Sequence, residues 1–250
     1  MWYLLSLDCE ATGLSKYADQ VTELGVAIYL VRPPFQTEAL AHFCTRVCPT
    51  IAITRGAQEV TGITNQQLLG QPKIKTALAS LLEHVTRVCS EDYDRHLVAY
   101  NGLGYDLPLL VAELQRSGQV PSEYFRRLRL TSVLDLLYWS KAHLDRTCLR
   151  RRKDGQCSYR LGDVYKAACQ RPLEGAHGAL ADCSALVEMM HTPLFQSFRD
   201  TVLAPIGDSA RPALCLNPMT VVRTHTQALA KGNKRKNGPT ILELLRRRPK

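Results

Sequence analysis

The sequence predicts an α/β domain built on a five-stranded mixed sheet flanked by helices. Three observations predict it. The first fifty residues hold three β-rich runs joined by short turns, and later β-type runs alternate with segments of helical period. The chain has 250 residues, 45% hydrophobic and 22% charged, which is enough to bury a full core.

Residues 3–9 (YLLSLDC) form a short apolar run suited to a buried strand, closed by Ala11-Thr12-Gly13. Residues 20–31 are β-branched and aromatic, and Pro33-Pro34 stop them. Residues 38–48 read as a third strand that ends before Pro49 and contains both Cys44 and Cys48. Short connections make these three an antiparallel meander. Gly62 suits a tight turn, and Thr64-Asn65-Gln66-Gln67 is a capping box. Residues 73–89 place apolar side chains at helical spacing. A fourth strand, 96–100, runs through Asn101-Gly102 into a helix from about Asp106 to Ser117, with Pro108 tolerated near its first turn. A fifth strand (128–134) and helices at 135–143, 160–170 and 178–191 follow. Alternation after a meander sets the later strands parallel to the first through right-handed crossovers. The expected domain covers 1–205, with 206–230 an irregular extension containing Pro212 and Pro218, and 231–250 a basic tail.

Charge is unevenly placed. The net charge is +9, yet residues 231–250 hold eight Lys and Arg against one Glu, or +7. The other 230 residues hold 24 basic and 22 acidic side chains, or +2. Such a tail attracts polyanions and suits nucleic-acid binding; the alternative is a solvated, disordered tail that signals nuclear import or binds nothing in particular. Two more basic clusters are Arg126-Arg127-Leu128-Arg129 and Arg150-Arg151-Arg152-Lys153, the second in a loop spanning 146–159. Nine cysteines without a CxxC pair read as reduced thiols of a nuclear or cytoplasmic protein. No apolar run approaches the ~18 residues of a membrane span, and MWYLLSL lacks a basic n-region before Asp8. Neither secretion nor membrane insertion is expected.

Asp8 and Glu10 stand two apart at the end of the first strand and so share one face. Two carboxylates there repel and lose hydration, which a hard divalent cation remedies; the alternative is two exposed groups at a strand end. Asp106 opens the helix after the fourth strand, either as a plain N-terminal partner of the helix dipole or as a third carboxylate facing the first two. His177 and Asp182 converge if the histidine lies on the loop before a helix and the aspartate inside it, and Gly175 and Gly178 permit such a loop. Read singly, that histidine is an ordinary surface residue. Asp135, at the end of the fifth strand, is a rival acid read as a structural cap.

These segments resemble a known family. Leu7-Asp8-Cys9-Glu10-Ala11-Thr12-Gly13-Leu14 is similar to the first motif of the DEDDh exonucleases of the DnaQ-like superfamily, the Asp106 segment to the second, and His177-x4-Asp182 to the third. Within that superfamily, LDCEATGL, VTGIT, YNGLGYDLPLL, YRLGDVYKA and HGALADCSAL resemble the three-prime repair exonuclease (TREX) branch across residues 3–195. Two features depart from it: Tyr100 stands where the family commonly has His, and a proline-rich insertion of some members is absent.

The resemblance implies an RNase H-like fold and metal-dependent removal of 5′-mononucleotides from nucleic-acid 3′ ends. Asp8, Glu10, Asp106 and Asp182 would hold two Mg²⁺ ions, with Mn²⁺ a substitute. Asp8 would bridge them, Glu10 and Asp182 would serve the nucleophile-side ion, and Asp106 the other. His177 would act as general base. Ala11 and Leu14 would line the terminal-nucleotide pocket, with Val60 packing on a base and Tyr105 at the scissile phosphate or sugar; Asn101 and His177 complete the substrate-binding set, and packing is the alternative for Leu14 and Val60. The expected partner is single-stranded DNA or a DNA 3′ end, the alternatives being RNA or a catalytically silent nucleic-acid-binding module on the same fold. The branch also implies a homodimer.

Overall fold

The computed structural model describes residues 1–203 and 216–231. Three antiparallel strands, β1 (Trp2–Ala11), β2 (Val21–Arg32) and β3 (Gln36–Arg46), are followed by β4 (Arg95–Ala99) and β5 (Leu130–Asp135), both in the parallel part of the sheet. The order is β3-β2-β1-β4-β5, so the first strand is the central one. This is the expected five-stranded mixed sheet of the RNase H-like fold. Strand boundaries fall within two residues of the sequence reading; β3 ends at Arg46 and so leaves Cys48 beyond the strand. All eight described cysteines are free thiols.

The helices are α1 (Arg55–Thr61), α2 (Asn65–Leu68), α3 (Ile74–Val88), α4 (Asp106–Arg116), α5 (Pro121–Leu128), α6 (Leu136–His143), α7 (Leu161–Cys169), α8 (Ala179–His191), α9 (Gln196–Leu203) and α10 (Pro218–Ala230). None is long and apolar enough to cross a membrane. They cover both faces of the sheet, which is why β1 is buried along most of its length. Its side chains divide by alternation. Tyr3, Leu5, Leu7, Cys9 and Ala11 enter a core with α3, α4, α5 and α10, whereas Leu4 enters a second core with α7 and α8. Ser6 lies on the face of Leu4, where its hydroxyl donates to the Cys183 carbonyl at 2.7 Å. Asp8 and Glu10 continue that row toward α8.

Residues 218–230, read as irregular, are helical. Pro218 occupies the first turn of α10, where its missing N–H costs little, and the Asn217 side chain caps the Met219 amide at 2.8 Å. Leu216 exchanges two backbone hydrogen bonds with Val133 of β5. Val221 and Val222 are buried in the first core. The extension is therefore part of the packed domain over 216–230. The remainder of the expected extension (206–215) and the tail from 232 lie outside the described residues. The sequence reading also assigns no helix to the segments of α1, α5 and α9. The Arg126-Arg127 pair sits in the last turn of α5, favourable to its dipole, and Arg129 pairs with Glu91 at 2.7 Å.

Candidate active site

The site lies at the carboxyl ends of β1 and β4. Their parallel pairing stops at Ser6–Val98, and the strands then part. The Cys9 amide beyond that point is taken by Asp106 of α4, whose Oδ1 accepts it at 3.0 Å. Asp106 is buried, the first residue of its helix, and joined to β1 by this bond. Helix α8 closes the other side. Gly25 on β2, opposite Asp8, allows it: a Cβ there would lie 2.8 Å from the Ala179 Cβ and 2.9 Å from its backbone carbon. Asp182, in the first turn of α8, thereby reaches the β1 carboxylates.

Glu10, His177 and Asp182 each offer a ligand atom within 4.8 Å of the other two. His177 is exposed, on a residue with φ of 67°, and its backbone amide approaches Asp182 Oδ2 at 3.4 Å. Asp182 Oδ1 is buried without a hydrogen bond. Asp8 stands two residues before Glu10 on the same face of β1, and Asp106 is tied to the Cys9 amide between them. Burial, then repulsion from Asp106, Asp182 and Glu10, holds the Asp8 carboxyl well above the usual range. Burial, then Asp182, Asp106 and Glu23, pushes Glu10 to about 8. Asp106 rises to about 7 through burial, against the Cys9 amide. Asp182 rises to about 6 through burial, against His177. Glu10, His177 and Asp182 thus converge within ligand distance, and Asp8 and Asp106 flank them through β1 and the Cys9 amide.

The donors fit a hard divalent cation: carboxylates that repel one another, one with an orphaned buried oxygen, beside an exposed histidine. A pH dependence follows. Unfolded carboxyls titrate near about 4; folded values of about 6 to 8 mean that the native metal-free chain binds more protons between those limits. Its stability therefore falls as pH rises from about 4 to about 8. Added Mg²⁺ should raise the melting temperature more at pH 8 than at pH 5.5, by at least the roughly 2–4 °C that 1 kcal/mol represents at this size. Differential scanning fluorimetry with EDTA or Mg²⁺ checks this, and an equal Mg²⁺ increment at both pH values counts against it.

The loop after β1 is braced from several sides. Thr12 Oγ1 and the Ser15 amide donate to the Asp19 carboxylate at 2.8 and 2.7 Å. Arg116 of α4 donates to the carbonyls of Tyr17 and Asp19 at 2.8 and 2.6 Å. The Tyr105 hydroxyl, expected near the scissile group, donates to the Gly13 carbonyl at 2.5 Å. Ala11 is buried at the strand end, whereas Leu14 is 95% exposed on this loop. Val60 is 54% exposed on α1, a helix joined to the same loop through the Thr54 amide and the Thr12 carbonyl at 2.8 Å. Asn101 turns with φ of 63°, its amide donating to Asp135 at 3.0 Å. Asp135 also accepts from Leu103 and Leu137 and so is the expected cap, holding the turn before Asp106. Tyr100, in place of the family's histidine, donates to the Tyr159 carbonyl at 2.8 Å, anchoring the basic loop.

Sequence reasoning missed Glu23. It faces Glu10 across β1–β2, and its Oε2 accepts the Ala179 amide at 3.1 Å, capping α8, which Gly178 leaves without a side-chain cap. The signal was an acid inside an otherwise apolar strand.

The RNase_T exonuclease family matches residues 5–190. Human three prime repair exonuclease 2 is 30% identical over 203 residues, which cover 72% of this chain and 79% of the relative. Human three-prime repair exonuclease 1 is 28% identical over 240 residues, covering 88% and 71%. Exonuclease I of E. coli, solved with a dT13 oligonucleotide, shares the fold at a TM-score of 0.65 and 19% identity. That match covers 81% of this chain but only 44% of exonuclease I. A zinc-bound form of the exonuclease I complex with single-stranded DNA gives a TM-score of 0.62 at 18% identity, covering 80% and 43%. With its acids gathered at the tip of the central strand and the family's span running from β1 through α8, this chain belongs to the exonuclease family, as a DnaQ-like 3′→5′ member similar to the three-prime repair enzymes.

Proposed function

We propose that the chain removes 5′-mononucleotides from DNA 3′ ends by divalent-metal-assisted hydrolysis. The convergence of Glu10, His177 and Asp182 beside Asp8 and Asp106 carries this reading. Asp8, Glu10, Asp106 and Asp182 would hold two Mg²⁺ ions, which, when bound, supply charge stabilisation to the attacking and leaving oxygens. The remaining work falls to the protein. His177, exposed on its turn before α8, accepts the proton of the attacking water. Leu14 and Val60 lie against the terminal base, and the braced loop fixes their height. Arg151 and Arg146, with Lys141 and Tyr159, line a cleft of about 230 Å³ beside the loop that Tyr100 anchors. They suit a phosphodiester backbone and a stacked base. The sequence's basic tail adds a long-range, salt-sensitive attraction.

The choice of DNA draws support from exonuclease I, solved with DNA oligonucleotides. The test is parallel digestion of 5′-labelled DNA and RNA strands of one sequence, with Mg²⁺ and with EDTA. DNA should shorten stepwise from its 3′ end, and EDTA should stop it. Preferential loss of RNA would replace the substrate, and binding without shortening would make the chain a silent nucleic-acid-binding module.

A further inference from the structure

His225 of α10 is wholly buried, yet no part of the proposed chemistry uses it. Its Nδ1 and the Tyr17 hydroxyl form a hydrogen bond of 2.8 Å, while its buried Nε2 has no partner in hydrogen-bond geometry although the Leu103 backbone lies near the ring. An aliphatic side chain would fill this place with less desolvation cost, so the bond to Tyr17 is what the imidazole supplies. Burial, then the neighbouring Lys16 charge, lowers its pKa to about 3, so the ring is neutral and the bond persists at working pH.

Tyr17 lies on the loop that follows the metal-binding strand, three residues after Leu14. The next side chain back, Lys16, reaches across to the Gly104 carbonyl at 3.0 Å, on the turn before Asp106. Helix α10 itself packs on α4, which Asp106 begins, and on α5. Tyr17 and His225 are 208 residues apart, so a helix near the far end of the described chain bears on the loop beside Glu10.

We infer that Tyr17 and His225 are positioning residues. Through their hydrogen bond α10 sets the height of the Leu14 loop and hence the grip on a terminal nucleotide. The inference rests on the exonuclease reading for its ligand, but the strap itself does not. Neither residue touches the carboxylates, so its loss should act on substrate capture more than on the chemical step.

The experiment uses the full chain as Tyr17→Phe, His225→Leu and His225→Asn, and two readouts. The first is hydrogen–deuterium exchange of residues 13–19 without substrate. The second is steady-state cleavage of a 3′-labelled DNA oligonucleotide with Mg²⁺. Tyr17→Phe should speed exchange across the loop and raise KM by about 5–10-fold, the worth of one hydrogen bond, with kcat within about twofold. His225→Leu should do the same, and the pair together should do little more. His225→Asn, which presents an amide near the Nδ1 position, should restore most of the grip. Unchanged exchange in Tyr17→Phe would overturn the strap, as would a fall in kcat at constant KM. Should the wild-type chain cut no oligonucleotide, the exonuclease reading fails and the exchange measurement still decides the strap.

Discussion

Asp182→Asn folds and does not turn over. The amide matches the carboxylate in shape, so the packing of α8 on β2 stays, including the close approach of Ala179 to Gly25. What goes is one negative charge and the buried, unpartnered Oδ1 that a cation would use. A neutral side chain also relieves Glu10, which Asp182 repels more than any other charge does. The variant should therefore melt no lower than the wild type in EDTA, while its gain from Mg²⁺ largely disappears. Thermal melting and a 3′-end cleavage assay on the same preparation read both effects. Near-normal cleavage by Asp182→Asn contradicts the metal assignment.

His177→Ala should slow cleavage by about 10²–10⁴, the usual scale for a lost general base. The hydrogen bond to Asp182 runs through the His177 backbone amide, so alanine keeps it while the imidazole's charge beside Asp182 goes. Mg²⁺ should then stabilise this variant as it stabilises the wild type. That separates two roles which the short distances among Glu10, His177 and Asp182 allow. If His177 is itself a ligand, the Mg²⁺ increment falls along with the rate; if it is a base, only the rate falls. Single-turnover kinetics with saturating enzyme keep the comparison on the chemical step.

Much of this was legible in the amino-acid order because the relevant signals are local. Two acids at i and i+2 on a strand share a face whatever the tertiary fold, and Asp8 and Glu10 do. A histidine on a glycine-flanked loop before a helix can turn back on an aspartate inside it, and His177 turns back on Asp182. The capping box at Thr64 formed as read, with both of its hydrogen bonds. What the sequence hid depends on distant partners. Glu23 looks like any strand residue until α8 arrives to need its carboxylate. Pro218 reads as a breaker unless Asn217 is seen to cap the turn it starts. Tyr105 carries a hydroxyl whose partner, the Gly13 carbonyl, is 92 residues away. Such pairings are set by the sheet order, which local pattern does not encode.

The middle position of β1 has a consequence for when this protein becomes dangerous to nucleic acid. Its two acids emerge early in translation, but their counterparts follow much later; Ser6 and Cys183, the neighbours that seat α8 against the strand, are 177 residues apart. A nascent or truncated chain lacking the last third would carry half a blade. On the proposed assignment, a chain that loses the docking of α8 loses Asp182 from beside Glu10 and should not cut.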